Sequence, residues 1–213
     1  MHKQTKLGLV TIAFLIPAFT TGFAQNENVF PFRGISPGMS QAQLEKLPPP
    51  DGIGRLACVN NAADVARVPE LQHTSRILMY KDNITYCTYV DFSLNPPTSI
   101  PIIIDVTPAK ATFLLTRESA NSEYRLASIS LVFPNGHFPG AVEALTKKFG
   151  NPTESPTSSP DTSWTQYRWL RPQGSIEAGP SPFPVDSSSV IYRHTELWKL
   201  FIAQRDARPQ PRL

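Results

Sequence analysis

In this chain of 213 residues, two cysteines, four histidines and a few strand carboxylates are of types that could do chemistry, and their spacing decides which chemistry. Cys58 and Cys87 form an even pair, which in an exported chain reads as a disulfide. Closing that loop of about 30 residues contributes roughly 3–4 kcal/mol in the chain-entropy model. The sharper alternative is a catalytic thiol with His73, His137 or His194 as its base, but no nucleophile signature surrounds either cysteine. The histidines (His2, His73, His137, His194) are scattered, and none of those after the leader described below shares metal-ligand spacing with a cysteine or carboxylate, so no metal and no cofactor is expected. His137 reads as a helix-entry residue and His194 as a strand end. "PNGHFPG" (Pro134–Gly140) contains glycines without the spacing or the preceding strand context of a phosphate loop. Asp91 and Asp105 are separate carboxylates with no acid/base partner in view, and read as solvated or turn-capping groups. Asn83 opens an Asn-Ile-Thr sequon, which matters only in a eukaryotic secretory route. No catalytic residue is therefore assigned, and the chain is expected not to be an enzyme.

Charge and the N-terminus bound the class further. "MHKQTKLGLVTIAFLIPAFTTGFAQN" has a basic start (Lys3, Lys6), an apolar run from Leu7 to Phe19, and small residues before a cut after Ala24, which is the pattern of a secretory signal. Its apolar run falls short of the roughly 20 residues a membrane span needs, and no later segment reaches that length. Without the leader, about 189 residues carry 18 basic and 17 acidic side chains, with no basic stripe of the kind that neutralises phosphates, so nucleic acid is not an expected partner. The expected location is periplasmic or secreted. Proline is abundant at 22 residues and clustered, which favours short elements joined by stiff loops.

The elements that would position any site follow from local pattern. In "GISPGMSQAQLEKLPPP", Ser40 and Gln43 make a capping box, Met39 can staple to Leu44, and Pro48–Pro50 end a short helix. Asp51–Ser75 is poorly patterned, with room for one short helical turn. Segments of β type follow: "RILMY", "ITYCTYVDF", "IPIIIDV", "ATFLLTRE" and "EYRLASISLVF", with turns at Lys81–Asn83 and "SANSE". The period of two puts Ile84, Tyr86, Val90 and Phe92 on one face and Cys87 and Tyr89 on the other. It also puts Ala127, Ile129, Leu131 and Phe133 on a core face, with Ser128 and Ser130 outward. Phe138, Val142, Leu145 and Phe149 then form the stripe of an amphipathic helix, which Gly150 in a left-handed conformation and Pro152 bring to an end. The remainder reads as strands: "SWTQYRWL", "GSIEA", "SSVIYRH" and, with no clean period, "ELWKLFIAQR".

The plan is α+β: two repeats of a helix followed by antiparallel strands, residues 25–133 and 134–213, as two units or one continuous domain, with helices covering one face of the sheet. "FRGISPGMSQAQLEKL" resembles the Gly-Met-Ser/Thr helix start of the periplasmic domains related to the β-lactamase inhibitor protein and to the SmpA/OmlA outer-membrane assembly lipoproteins. "VEALTKKFGNPT" resembles the helix end of exported bacterial proteins built on the same plan. The resemblance implies a sheet with helices on one face, used mainly to bind proteins, and it carries over no catalytic residue. Lipid attachment is not expected, because no cysteine stands near the cut. The expected function is thus that of an exported, non-catalytic binding protein whose partner is another protein, with an inhibitor or immunity role as a special case and an envelope hydrolase as the alternative. For the binding face, Trp164, Tyr167 and Trp169 fall in one strand, with Tyr167 and Trp169 on the same side. Either the N-terminal repeat buries them, or they line an exposed concave face that recognises the partner.

Overall fold

The computed structural model describes residues 29–49, 52–78, 83–104, 107–158, 165–181 and 186–207. The first helix, α1 (Gln41–Glu45), starts as the sequence dictates: the Gln43 amide donates to Ser40 Oγ at 3.2 Å and the Ser40 amide to Gln43 Oε1 at 2.9 Å. These two bonds satisfy donors that a helix start otherwise leaves open. Leu44 is buried, and the helix stops after little more than one turn, ahead of the proline run.

The poorly patterned stretch is more ordered than expected. It forms strand β1 (Arg55–Cys58) and two helices, α2 (Ala62–Arg67) and α3 (Pro69–Leu78). Asn61 caps α2 by accepting the amides of Ala63 and Asp64 at 3.0 and 3.3 Å, and Pro69 opens α3, where its missing N–H costs nothing. The described part of "RILMY" is helical and not a strand. Arg76–Leu78 close α3, while Met79 and Tyr80, with Lys81 and Asp82 of the expected turn, lie outside the described residues.

The remaining strands are β2 (Ile84–Asp91), β3 (Thr98–Ser99), β4 (Ile102–Ile104), β5 (Thr107–Thr116), β6 (Arg125–Pro134), β7 (Glu154–Ser158), β8 (Thr165–Arg171), β9 (Gly174–Pro180) and β10 (Ser187–His194). All pair antiparallel, in the order β1-β2-β5-β6-β10-β9-β8-β7, with β3 added to β2 and β4 to β5. The fold is thus α+β around an open antiparallel sheet, and residues before and after position 134 share it through the β6–β10 ladder.

One face of the sheet carries the main core. Tyr89, Phe113, Leu115, Ile129, Leu131, Phe133, Trp169, Ile176, Val190 and Tyr192 lie beneath α1, the segment from Phe30 to Ile35, and α4 (Phe138–Phe149). The stripe of α4 is the one read from sequence: Leu145 is buried, and Phe138, Val142 and Phe149 pack on the same cluster. Fully burying a side chain of this size stabilises by roughly 1.5–3 kcal/mol before entropy is set against it.

Helices cover the other face too, contrary to expectation. "ELWKLFIAQR" belongs to a helix, α5 (Thr195–Asp206), not a strand. Its Leu197 and Phe201 bury against Ile84, Leu114 and Ala127, while α2 and α3 bring Val68 and Leu71 onto Ala57 and Val90. A register shift between Leu114 and Leu115 makes this possible: Leu114 pairs with Ser128 but Leu115 pairs with Leu126. The extra residue, Ala127, leaves the Ile129–Phe133 face and turns toward α5, as a bulge requires, and Ser128, read as outward, is buried. The division of β2 is as expected, with Cys87 and Tyr89 in the main core and Ile84, Tyr86, Val90 and Phe92 on the opposite side.

Candidate functional site

The two cysteines sit directly opposite each other, Cys58 on β1 and Cys87 on β2, joined in a disulfide with Cα atoms 4.1 Å apart. Both are buried, so neither thiol is free to act as a nucleophile. His73 is exposed on α3 and His194 ends β10, as the sequence places it. Asp91 is half-buried at the end of β2 and accepts both the amide (2.8 Å) and the hydroxyl (2.6 Å) of Ser93, and these bonds hold its carboxyl below the ordinary range. It is a turn-capping group, whereas Asp105 lies outside the described residues. Among the described residues no group of three or more His, Cys, Asp or Glu side chains is placed to hold a metal, and no helix is long and apolar enough to cross a membrane.

Trp169 does not line an exposed face. It is 1% exposed under the C-terminal end of α4, and its indole Nε1 donates to the carbonyl of Gly150 at 2.8 Å. Burying the ring while giving its N–H a partner is the arrangement that makes a tryptophan a favourable core residue. Tyr167 is half-buried beside it, its ring stacked on Trp169 with centroids 6.3 Å apart and tilted against Phe138 at 6.1 Å. The two aromatics seat α4 on β8. Trp164 lies outside the described residues.

The concave feature near this helix is at its other end. Ile104 of β4, Thr107 of β5, Phe133 of β6 and the start of α4 enclose an open cavity of about 250 Å³. The helix contributes Gly140, Ala141 and Ala144, preceded by Gly136 and His137. These small side chains leave the space unfilled: a Cβ added to Gly136 or Gly140 would meet no atom within 4 Å. Phe133 forms a buried apolar wall, and the edge is polar, with Thr107 Oγ1 2.8 Å from His137 Nδ1. His137 takes the helix-entry position expected of it, in a 3-10 turn (Asn135–His137) leading into α4, but makes no capping bond with its side chain.

Chemically, the cavity can accept one apolar side chain or ring and offer it a single hydrogen-bonding edge. Sequence reasoning passed over it because its walls meet only once β4, β5 and β6 pair and the start of α4 packs beside them, which no local pattern shows. The one local signal was the concentration of glycine and alanine in the first two turns of an otherwise well-patterned helix. Comparison of the chain with protein-family models, with curated proteins and with solved structures finds no match.

Proposed function

We propose that this chain is an exported, non-catalytic binding protein, periplasmic or secreted, that engages another protein by receiving an apolar side chain in the cavity beneath the first turns of α4. Export is supported by the leader-like N-terminus and by the Cys58–Cys87 bridge, a bond that persists in oxidising compartments. The observation that carries binding is the cavity itself, apolar on most walls with one polar edge, the composition usual for recognition pockets. We further read the chain as two repeats, α1 followed by β1, β2, β5 and β6, and α4 followed by β7 to β10. The strand order supports this reading, because it runs from first strand to last in one half and mirrors that run in the other, with β6 and β10 at the junction.

The test is a comparison of the chain after the leader with Ala144→Phe, a substitution at an exposed helical position that fills the cavity. A protein captured from envelope extract, identified and rebuilt with purified components, should bind the parent and not the variant, with equal urea midpoints for both. Equal binding by both would place the interface elsewhere. A second reading, an envelope hydrolase, has one observation in its favour, the hydroxyl-to-imidazole contact of Thr107 and His137. Ester turnover by the parent that vanishes in Thr107→Val would favour it over binding.

A further inference from the structure

At the turn from β10 into α5 a histidine stands where helices ordinarily place Ser, Thr, Asp or Asn. His194 has the extended backbone of a cap (φ −93°, ψ 122°), and its Nδ1 accepts the Leu197 amide at 3.5 Å. To accept, Nδ1 must carry a lone pair, so the bond exists for the neutral imidazole alone. The other edge of the ring lies against Gly38, where an added Cβ would stand 3.0 Å from His194 Cδ2 and 3.5 Å from Nε2. Gly38 holds φ +99°, and its carbonyl accepts Arg125 Nε at 3.0 Å, which fixes the Arg125 guanidinium beside the same ring.

A proton on Nδ1 therefore acts in one direction through three effects. It turns the acceptor into a donor facing the Leu197 N–H. It also places positive charge at the positive end of the α5 dipole, and places that charge next to Arg125. We propose that His194 is an acid-sensitive cap, whose protonation releases the first turn of α5 (Thr195–Trp198) while the rest of the chain stays folded. Release loosens Leu197 from Ile84, Leu114 and Ala127, so mild acid uncovers an apolar patch on the sheet face opposite α4.

The charges around the ring are few. Strand β6 brings Arg125 and α5 brings Glu196, while the Ser36–Met39 segment and Gly174 of β9 bring no titratable group. Burial and then Arg125 hold the imidazole below its ordinary value, and Glu196 opposes them. Because the folded value is depressed, the unfolded or released state takes up the proton first. The stabilisation is present above the ordinary value of 6.5 and is lost as pH falls from there toward the folded value.

The experiment is amide hydrogen exchange of the chain after the leader at pH 7.5 and 5.0, corrected for intrinsic rates, on the parent and on His194→Asn, a cap that does not titrate. The opening constant at Leu197 and Trp198 should rise about five-fold at the lower pH in the parent, the size of losing a typical cap. It should stay level in the variant, and β6 should be unaffected in both. An equal rise in both proteins, or none in the parent, overturns the proposal. An NMR titration of the parent checks it independently of how well the variant folds: the Leu197 amide must follow the His194 ring with one midpoint, and an amide shift that ignores the ring overturns it.

Discussion

Gly150→Ala isolates a backbone conformation from every packing effect. Gly150 closes α4 at φ +84° and ψ −175°, a region that residues with a Cβ scarcely occupy. Space is not the issue, because a Cβ there would meet nothing within 4 Å. The cost is therefore conformational, of order 1–3 kcal/mol. Escape by rotation is restricted at both ends of the residue: its amide donates to the Thr146 carbonyl at 2.9 Å, and its own carbonyl accepts Trp169 Nε1 at 2.8 Å. A rotated residue would strip the buried indole of its partner, at a similar cost of about 1–3 kcal/mol. With a urea slope of about 2 kcal/mol per M, a loss of about 2 kcal/mol lowers the midpoint by about 1 M. Gly140→Ala is the internal control. It lies inside α4 with equally open space, so the same methyl group should raise stability by about 0.4–1 kcal/mol by restricting the unfolded chain. Urea melts followed by circular dichroism decide the matter. An unchanged midpoint for Gly150→Ala, or shifts of the same sign in both variants, would refute the reasoning.

Mass spectrometry of the unreduced, thiol-blocked protein should find Cys58 and Cys87 unalkylated, and replacing both with alanine should cost about 2–4 kcal/mol in urea melts; two blocked thiols would contradict the bridge. Trp169→Ala should lower stability by roughly 3–5 kcal/mol, because it empties a fully buried ring site and orphans the Gly150 carbonyl, whereas a midpoint equal to the parent's would mean the ring is not core. Burial pushes the Glu70 carboxyl up, but its bonds to Lys110 and Ser99 outweigh burial and hold it below its ordinary value of 4.5. Its contribution is present above that value and fades as pH falls below it, so the drop in urea midpoint between pH 5 and pH 3 should be smaller in Glu70→Gln than in the parent, and equal drops would dismiss the linkage.

What the sequence determined by itself is local. The capping box at Ser40 and Gln43, the stripe of α4 and its stop at Gly150, and the two faces of β2 each follow from contacts within a few residues, where φ/ψ preference and periodicity act directly. The cysteine pair belongs here too, since two cysteines in one chain allow a single intramolecular pairing. The helical nature of α5 was weakly marked by Leu197 with Phe201 and Trp198 with Ile202, four apart. Its apolar residues nearly encircle the segment, and the cap that starts it is a histidine. Only the tertiary structure decided the rest. Ala127 changes face because a bulge fits β6 to β5, an adjustment that depends on the partner strand. Trp169 is buried because α4, from an earlier segment, lies down on β8. The cavity exists because three strands and a glycine- and alanine-lined helix start meet without filling the space between them. Each of these is a property of surfaces that different elements present to one another, and no local preference encodes how such surfaces fit.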